Sequence, residues 1–505
     1  MTATAVTRRS FLELAAASTA GLVLPGLLRD PYRPARPARR IGPPVLVQGR
    51  VTVSGQGLGR VAVSDGLTVV ETATDGSYEL VTTVDRDFVM LSVPAGHAIP
   101  RNPKGTARFY RPVRATAAGT MEASFELERL PDGDERHAVL LLADVQTQDA
   151  EEMRWFHEQT VPDVRDTVAD MGERPVIGIS GGDIMYDDLS LFPEYERGVE
   201  RMGIPFFQVV GNHDLDVDAP TDEGSSETFS RHFGPRYYSF DRGAVHYVVL
   251  DDVLWHGAGY IGYLDADQLT WLAADLARIE PGRTVVVAQH IPALGSGHIR
   301  LGEARPRLTT SVANREALYR LLQPYRALIL AGHTHEHEHV FEHGVHELVS
   351  ATVCGAWWSG PICGDGAPNG YTVIEAAGET VRWRYKATGH PPDHQMRLYP
   401  RGADPGAPDE IVANVWDWDP EWVVVWYEGG DRRGRMARRI GLDPLSVQLH
   451  TGPGLPPRRT WVEPYPTSHL FYAPVPDGAR DITVEATDRF GRRYVGRVPA
   501  VLDAS

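Results

Sequence analysis

Residues 138–146 read Ala-Val-Leu-Leu-Leu-Ala-Asp-Val-Gln, an apolar run of strand length that ends in polar side chains. Similar apolar runs begin at Pro175, Pro205, Val245, Thr284 and Ala327. Amphipathic stretches typical of helices lie between some of them, for example at 265–279 and 314–322. Short continuous apolar strands that alternate with helices are typical of sheets buried on both faces. The pattern therefore predicts an α/β domain over residues 137–390.

Five of these apolar runs end in side chains that can bind metal ions. In chain order the candidates are Asp144 and Gln146, Asp183, Asn212, His290, and His333 with His335. Ligands of open α/β sheets bind beyond the carboxyl ends of the strands, so these side chains are expected to converge on one point. Carboxylate and amide oxygens and imidazole nitrogens bind first-row metal ions. Two such ions about 3.5–4 Å apart can bind a phosphoryl oxygen and generate a hydroxide between them.

The order of the five blocks resembles the pattern of the calcineurin-like metallophosphoesterase family. That pattern is Asp-x-His, Gly-Asp-x-x-(Asp or Tyr), Gly-Asn-His-(Asp or Glu), a lone His, and Gly-His-x-His. The resemblance covers about half of the 505-residue chain. It implies a four-layer α/β/β/α core and a metal-dependent phosphoric ester hydrolase with two divalent or trivalent metal ions. Manganese, iron and zinc all remain open for the metal ions.

The resemblance also assigns ligands to the two ions. One ion would be held by Asp144, Asp183 and His335, and the other by Asp183, Asn212, His290 and His333. Asp183 would bridge the ions. The resemblance implies in-line attack on phosphorus by a hydroxide that bridges the metals.

Two residues of the Gly-Asn-His-Asp block are expected to act without binding a metal ion. The resemblance places His213 beside the phosphate, where it would protonate the leaving oxygen or stabilise the transition state. Asp214 would then orient the imidazole of His213 and enhance its charge.

Two positions depart from the usual family pattern. Gln146 stands where the family has His, and its neutral amide oxygen is a weaker ligand than imidazole. Tyr186 lies three residues after Asp183, the spacing at which purple acid phosphatases bind ferric iron through Tyr. Tyr186 is therefore either a ligand of the first ion or an ordinary Tyr packed under the site.

The N-terminus resembles a twin-arginine export signal. Residues 7–13 read Thr-Arg-Arg-Ser-Phe-Leu-Glu, and a weakly apolar run rich in Ala and Gly follows over residues 14–28. That run is too short and too mild to be a stable membrane span, so none is expected in the mature chain. The order of these features predicts export as a folded protein through the twin-arginine machinery. Residues 1–44 are interpreted as this signal with a Pro/Arg-rich linker.

Two β-rich regions flank the central domain. Residues 45–130 alternate short strands with turns and resemble transthyretin-like or carboxypeptidase-regulatory-like β-sandwiches. Residues 391–505 are again β-like and predict a second small sandwich. Similar flanking domains occur in one bacterial branch of the metallophosphoesterase family.

The composition limits the classes of ligand. A formal net charge of -17 argues against broad binding to nucleic acid or anionic lipid. It does not exclude a phosphate substrate, because bound metal ions supply local positive charge. The two cysteines, Cys354 and Cys363, allow either one short-loop disulfide or two free thiols.

Several other polar residues are interpreted as structural. The sequence predicts a satisfied core histidine at His246, structural carboxylates at Asp251 and Asp252, and solvated strand residues at His337, His339, His343 and His346. The Gly-rich loop 354–371 contains Trp357 and Trp358, which either line a substrate cleft or pack between domains.

The substrate stays open at this stage. Phosphate monoesters and diesters of small molecules or of the cell envelope fit the centre, and so do nucleotide pyrophosphates, because loops rather than ligands set selectivity. The alternative from another class is an exported binding or structural protein of the envelope whose core has lost catalysis.

Overall fold

A computed structural model describes residues 42–452 and 454–501. The twin-arginine motif and most of the linker therefore lie outside the described residues. Within the described ranges, every helix is too short or too polar to cross a membrane.

Two sheets form the N-terminal region. The first has five strands, with the order β2-β1-β5 and with β8 and β9 paired in parallel to β1, and the second has the order β4-β3-β6-β7. The strands are β1 (Pro44–Val53), β2 (Gln56–Gly57), β3 (Ala62–Ser64), β4 (Val69–Glu71), β5 (Ser77–Thr83), β6 (Phe88–Leu91), β7 (Tyr110–Pro112), β8 (Thr120–Glu122) and β9 (Phe125–Leu127). Their inward side chains share one hydrophobic core with the neighbouring central sheets.

Two larger sheets form the centre of the molecule. The first has the order β12-β11-β10-β21-β22, and the second has the order β13-β14-β17-β18-β20-β19. The strands of the first are β10 (Arg136–Leu142), β11 (Val176–Ser180), β12 (Phe206–Gln208), β21 (Gly370–Ala377) and β22 (Thr380–Ala387). The strands of the second are β13 (Tyr238–Arg242), β14 (Val245–Val249), β17 (Thr284–Ala288), β18 (Arg326–Ala331), β19 (Glu338–Glu342) and β20 (Val345–Val349). A small hairpin, β15 (Val253–Trp255) and β16 (Tyr260–Gly262), stands apart from both.

Helices cover the outer faces of the two central sheets. They are α1 (Ala150–Trp155), which continues through a π-helical turn (Phe156–Thr160) into α2 (Val161–Asp170), then α3 (Phe192–Met202), α4 (Glu227–Phe233), α5 (Ala266–Leu276), α6 (Gly297–Arg300) and α7 (Arg315–Leu322). Strand β10 shows how the layers form, because alternate residues of a strand face opposite sides. Leu140 shares a core with Val161 and Phe192 of the helices, whereas Leu141 shares a core with Val287 of the second sheet. The predicted four-layer α/β/β/α core is therefore confirmed.

The C-terminal region is a second β-sandwich with the sheet orders β23-β24-β28-β27 and β26-β25-β29-β30. Its elements are β23 (Arg397–Tyr399), β24 (Glu410–Asn414), β25 (Val423–Glu428), β26 (Asp431–Arg435), β27 (Ala437–Gly441), α8 (Pro444–His450), β28 (Thr467–Pro474), β29 (Ile482–Thr487) and β30 (Arg493–Arg497). Ile411 and Phe471 of one sheet share a core with Trp426 and Val484 of the other. The boundaries between the three regions stay sequence-based predictions.

Candidate metal centre

The predicted ligands lie just beyond the carboxyl ends of parallel strands of both central sheets. Five of them have left-handed backbone conformations, with φ of +49° at Asp144, +44° at Gln146, +47° at Asp183, +72° at His333 and +54° at His335. Non-glycine residues rarely adopt this region, and where they do the strain is typically found at functional sites. These sharp turns, in the loops that follow three of the strands, direct side chains into one small volume.

Glycines beside the ligands make room for this convergence. A Cβ atom at Gly182 would collide with the ring of His290, one at Gly211 with Asp183, and one at Gly332 with the carboxylate of Asp144. The glycine at each of these positions is therefore required by the close approach of another ligand.

Three donor atoms of other side chains surround the Nε2 atom of His290. This atom lies 3.2 Å from Oδ1 of Asp183, 3.1 Å from Oδ1 of Asn212 and 3.1 Å from Nδ1 of His333. The His290 side chain is buried, and His333 is half-buried. The predicted second-ion ligands are thus brought together.

Backbone carbonyls fix which nitrogen of each imidazole faces this volume. The Nδ1–H of His290 donates to the Gly181 carbonyl at 2.9 Å, and the Nε2–H of His333 donates to the Thr309 carbonyl at 2.8 Å. The remaining nitrogens, Nε2 of His290 and Nδ1 of His333, therefore direct lone pairs at each other across 3.1 Å. These two nitrogens need a positive charge between them, either a metal ion or, when no metal ion is bound, a proton on His290. Burial lowers the pKa of His290, but Asp183 outweighs burial and raises the pKa to about 10. A donor set that holds a cation at this point fits a metal ion.

The ligands assigned to the other ion form an adjoining group. The Nδ1–H of His335 donates to the Gly355 carbonyl at 2.6 Å, which leaves Nε2 facing Oδ1 of Asp144 at 3.5 Å. This Nε2 atom is buried and has no hydrogen-bond partner among the described residues. Its unsatisfied lone pair also fits a metal ion between His335 and Asp144.

Gln146 reaches the same group. Its side-chain amide donates from Nε2 to Oδ2 of Asp183 at 3.0 Å, and its Oε1 lies 3.8 Å from the Sγ of Cys354. The amide therefore touches the carboxylate predicted to bridge the ions. Whether Gln146 binds an ion directly stays a prediction.

Asp183 carries its negative charge in a fully buried position. Burial alone raises the pKa of this carboxyl, but His290 and His213 outweigh burial and hold the pKa below its usual range. The backbone N–H of His213 also donates to Oδ1 at 2.9 Å. An ionised, buried carboxylate between the two ligand groups is suited to bridging two cations.

The contacts of His213 correct one prediction. Its Nδ1 pairs with Oδ1 of Asp187 at 2.7 Å, and within the described part of the chain its imidazole makes no hydrogen bond to the carboxylate of Asp214. Asp214 instead accepts backbone N–H groups of Gly211, Ile184 and Met185 at 3.0–3.1 Å. The prediction that Asp214 orients His213 was wrong, because the fully buried carboxylate of Asp214 is used to hold the loop that carries Asp183.

Tyr186 stacks on His213. The two ring centroids are 4.5 Å apart with an interplanar angle of 19°, and the guanidinium of Arg459 also lies over the Tyr186 ring, 4.9 Å from its centroid. No local sequence pattern indicates Arg459, because its contact with Tyr186 spans more than half of the chain. These ring contacts agree with the packing interpretation of Tyr186, and its role as a ligand stays untested.

The tryptophans of loop 354–371 have different environments. Trp357 stacks on His335 with centroids 3.9 Å apart and an interplanar angle of 17°, and it borders the cleft in front of the ligands. Trp358 is buried and donates its Nε1–H to the Val145 carbonyl at 3.0 Å. Both cysteines are buried free thiols, and Cys354 lies 3.7 Å from Nδ1 of His335.

Two of the histidines that follow the last ligand block, His337 and His339, are not solvated as predicted. The imidazoles of His337 and His339 are buried, and each donates to Oδ1 of Asp417 at 3.0 Å. The prediction missed this burial because the covering carboxylate comes from the C-terminal sandwich. His343 is exposed, as expected for a solvated strand residue, and Asp252 accepts the backbone N–H of His290 at 3.2 Å.

Comparison with known protein families gives a consistent assignment. The model for the N terminal of calcineurin-like phosphoesterase matches residues 45–130, that for calcineurin-like phosphoesterase matches residues 137–337, and that for the C terminal of calcineurin-like phosphoesterase matches residues 347–494. The chain belongs to the calcineurin-like phosphoesterase family, and the resemblance seen in the sequence is confirmed.

Individual relatives match over shorter stretches. Purple acid phosphatase 15 of Arabidopsis thaliana is 30% identical over 149 residues, which are 27% of this chain and 25% of the relative. Purple acid phosphatase 22 of the same plant is 29% identical over 175 residues, which are 31% of this chain and 37% of the relative. The chain thus spans between about a quarter and two fifths of the length of these relatives.

Solved structures show a general similarity. The purple acid phosphatase PPD1 of yellow lupin matches with a TM-score of 0.35 and 13% identity, over 63% of this chain and 56% of that one. A 5'-nucleotidase precursor of Thermus thermophilus matches with a TM-score of 0.30 and 12% identity, over 50% of this chain and 54% of that one.

Proposed function

We propose that this chain hydrolyses phosphate monoesters or diesters at a centre that holds two metal ions. The observation that carries the proposal is the set of opposed donor atoms. His290 and His333 aim lone pairs at each other across 3.1 Å beside the ionised carboxylate of Asp183, and His335 aims another at Asp144. Such a set binds cations and has no evident purpose in a purely structural core.

The proposed ligands form two sets, one for each ion, which share Asp183. The first ion would be held by Asp144, Asp183 and His335, and the second by Asp183, Asn212, His290 and His333. When bound, two such ions neutralise the charge on the phosphoryl oxygens and supply an activated water. The protein fixes the geometry, because each imidazole ligand is held by a carbonyl and each loop by glycine contacts.

His213 is the proposed proton donor to the leaving oxygen. Its imidazole lies next to Asp183 but outside the ligand groups, and it borders the cleft. Burial lowers the pKa of His213, but Asp183 and Asp187 outweigh burial and raise the pKa above its usual value. A protonated imidazole at this place can give a proton to an alkoxide or phenolate that departs from phosphorus.

The charges of the cleft favour an ester whose leaving group carries no second phosphoryl group. Beyond the ligands, Arg300 is paired with Glu336 and Glu338, and Arg307 is paired with Glu303. These arginines are therefore already neutralised and offer little attraction to a second phosphoryl group. The paired arginines therefore favour phosphate mono- and diesters over nucleotide pyrophosphates as substrates.

A panel of substrates tests the proposal. The purified chain is assayed with 4-nitrophenyl phosphate, bis(4-nitrophenyl) phosphate and a nucleotide pyrophosphate, each with added manganese, zinc or iron. We expect metal-dependent release of 4-nitrophenol from at least one ester and slower turnover of the pyrophosphate. A chain that binds no metal ions and turns over none of the substrates would instead be the non-catalytic envelope protein.

We further propose that the enzyme is exported through the twin-arginine machinery, where it meets small-molecule or envelope-derived phosphate esters. The support is the sequence motif around Arg8 and Arg9. Replacing both arginines by lysine should retain the protein in the cytoplasm, as measured by cell fractionation. Equal export of the wild type and this variant would contradict the assignment.

A further inference from the structure

A segment of the C-terminal region, residues 458–465, lies against the central domain beside the metal centre. Arg458 pairs with Asp149 at 2.8 Å and with Glu151 at 2.8 Å, both near the start of α1. Trp461 packs on Trp357 with centroids 4.7 Å apart, and Trp357 in turn stacks on His335. The segment therefore contacts the surroundings of the ligands through several side chains.

Arg459 of this segment contacts the ring that stacks on His213. Its guanidinium lies over the Tyr186 ring, 4.9 Å from the ring centre, and the same ring stacks on His213 with centroids 4.5 Å apart. Tyr186 thus links a cation of the C-terminal region to the imidazole proposed as proton donor. A planar guanidinium can stack on an aromatic face as well as attract it electrostatically, whereas the ammonium of Lys provides only the electrostatic attraction.

A buried carboxylate fixes the position of Arg459. Its Nη2 donates to Oε1 of Glu152 at 3.0 Å, and the Glu152 side chain is 0% exposed. The other oxygen of Glu152 accepts the backbone N–H of Gln148 at 2.7 Å. Moving the guanidinium away from Tyr186 would break this pairing with a buried carboxylate, which Arg459 shares with Arg458.

We propose that Arg459 is a positioning residue for His213, acting through Tyr186, so that the C-terminal region completes the catalytic centre. This inference rests on the proposed function. The stack closes one face of the imidazole, while Asp187 holds its Nδ1 edge. Together these contacts leave the ring one orientation, in which Nε2 serves as the proton donor. Small errors in the placement of a catalytic group lower the rate steeply.

Arg458 provides a matched control. It belongs to the same segment and also pairs with Glu152, at 2.9 Å, but its guanidinium lies over Trp155 at 5.6 Å rather than over Tyr186. Arg458→Ala therefore weakens the same contact between the regions without removing the stack on Tyr186. A purely structural role of the segment predicts similar defects for Arg458→Ala and Arg459→Ala.

The test compares kcat and KM for two substrates of the holoenzyme, 4-nitrophenyl phosphate and a simple alkyl phosphate. A misplaced proton donor harms the alkyl ester more, because an alkoxide is a much poorer leaving group than 4-nitrophenolate. For Arg459→Ala we expect kcat on the alkyl phosphate to fall about tenfold or more, with a smaller loss on the aryl phosphate and unchanged metal content and KM. Arg458→Ala is expected to keep the wild-type ratio of the two rates.

Arg459→Lys keeps the charge and the pairing with Glu152 but loses the planar stack, so it decides the question if Arg459→Ala does not fold. We expect the same selective loss on the alkyl phosphate. Equal losses on both substrates in Arg459→Lys, or wild-type rates, would overturn the positioning role. If the wild type hydrolyses neither ester, the proposed function itself fails, which is a distinguishable result.

Discussion

Oδ1 of Asp187 lies 2.7 Å from Nδ1 of His213, and the backbone N–H of Asp187 donates to the His213 carbonyl at 3.3 Å. The two residues are therefore joined through both side chain and backbone. The Asp187 side chain is 49% exposed, whereas that of His213 is 25% exposed. A carboxylate at Nδ1 keeps a proton on that nitrogen and leaves Nε2 free to exchange a proton with the substrate.

Asp187→Asn is expected to lower kcat by about tenfold while leaving the metal content unchanged, because only the support of the imidazole is lost. Metal analysis and steady-state kinetics on the same preparation check this. Asp188→Asn is the matched control, since that carboxylate caps the turn Leu189–Leu191 instead. Loss of bound metal in Asp187→Asn would contradict the assigned role.

His213→Ala should remove the proton donor itself. We expect bound metal to be retained and kcat to fall by about a hundredfold or more, with the larger loss on substrates that have poor leaving groups. The metal content is measured together with the rates on aryl and alkyl phosphates. If this variant loses both ions, His213 is a ligand and its assignment as proton donor is wrong.

Tyr186→Phe tests the open role of Tyr186. The ring contacts with His213 and Arg459 survive this change, because they involve the aromatic faces and not the hydroxyl. We therefore expect metal content and kcat close to those of the wild type. A loss of one ion per chain in this variant would show instead that the hydroxyl of Tyr186 binds metal.

His246 gives a prediction for stability far from the metal centre. Burial lowers its pKa, but pairing with Asp275 at 2.9 Å and Asp241 at 2.8 Å outweighs burial and raises the pKa to about 10. The folded state then holds a proton that the unfolded state releases above pH 6.5, so this stabilisation is complete below pH 6.5 and is lost as the pH rises toward 10.

The contribution of His246 to the free energy of unfolding should accordingly fall by up to about 1.4 kcal/mol for each pH unit in that window. Urea titrations at several pH values, on the wild type and on His246→Gln, measure it. The variant should be less stable at pH 6.5 and should show a flatter pH dependence. Parallel pH profiles of the two proteins would contradict the charged state of His246.

The sequence allowed the ligand set to be predicted because metal ligands at strand ends follow local rules. Apolar runs that stop at Asp144, Asp183 and His290 indicate both the sheets and the crevice, and the order of the blocks indicates the family. The spacing of His333 and His335 likewise predicts two neighbouring nitrogens. Each of these signals is formed by residues that are only a few positions apart in the chain.

The partners that support the ligands could not be predicted in the same way. Asp187 was missed because an exposed Asp in a turn looks ordinary, and Asp214 was favoured because it directly follows His213. Arg459 and Asp417 come from a separate region of the chain, so their contacts with Tyr186 and His337 depend on how the C-terminal sandwich packs. Such long-range contacts leave no periodic pattern in the sequence.

The bound metal content of the wild type and of Asp183→Asn tests the central claim most directly. The carboxylate of Asp183 lies between the two groups of donors, so replacing it with a neutral amide weakens both sites at once. We predict about two ions per wild-type chain and metal-dependent hydrolysis of phosphate esters, with both lost in Asp183→Asn. An Asp183→Asn protein with full metal content and wild-type turnover, or a metal-free wild type that hydrolyses these esters, would contradict it.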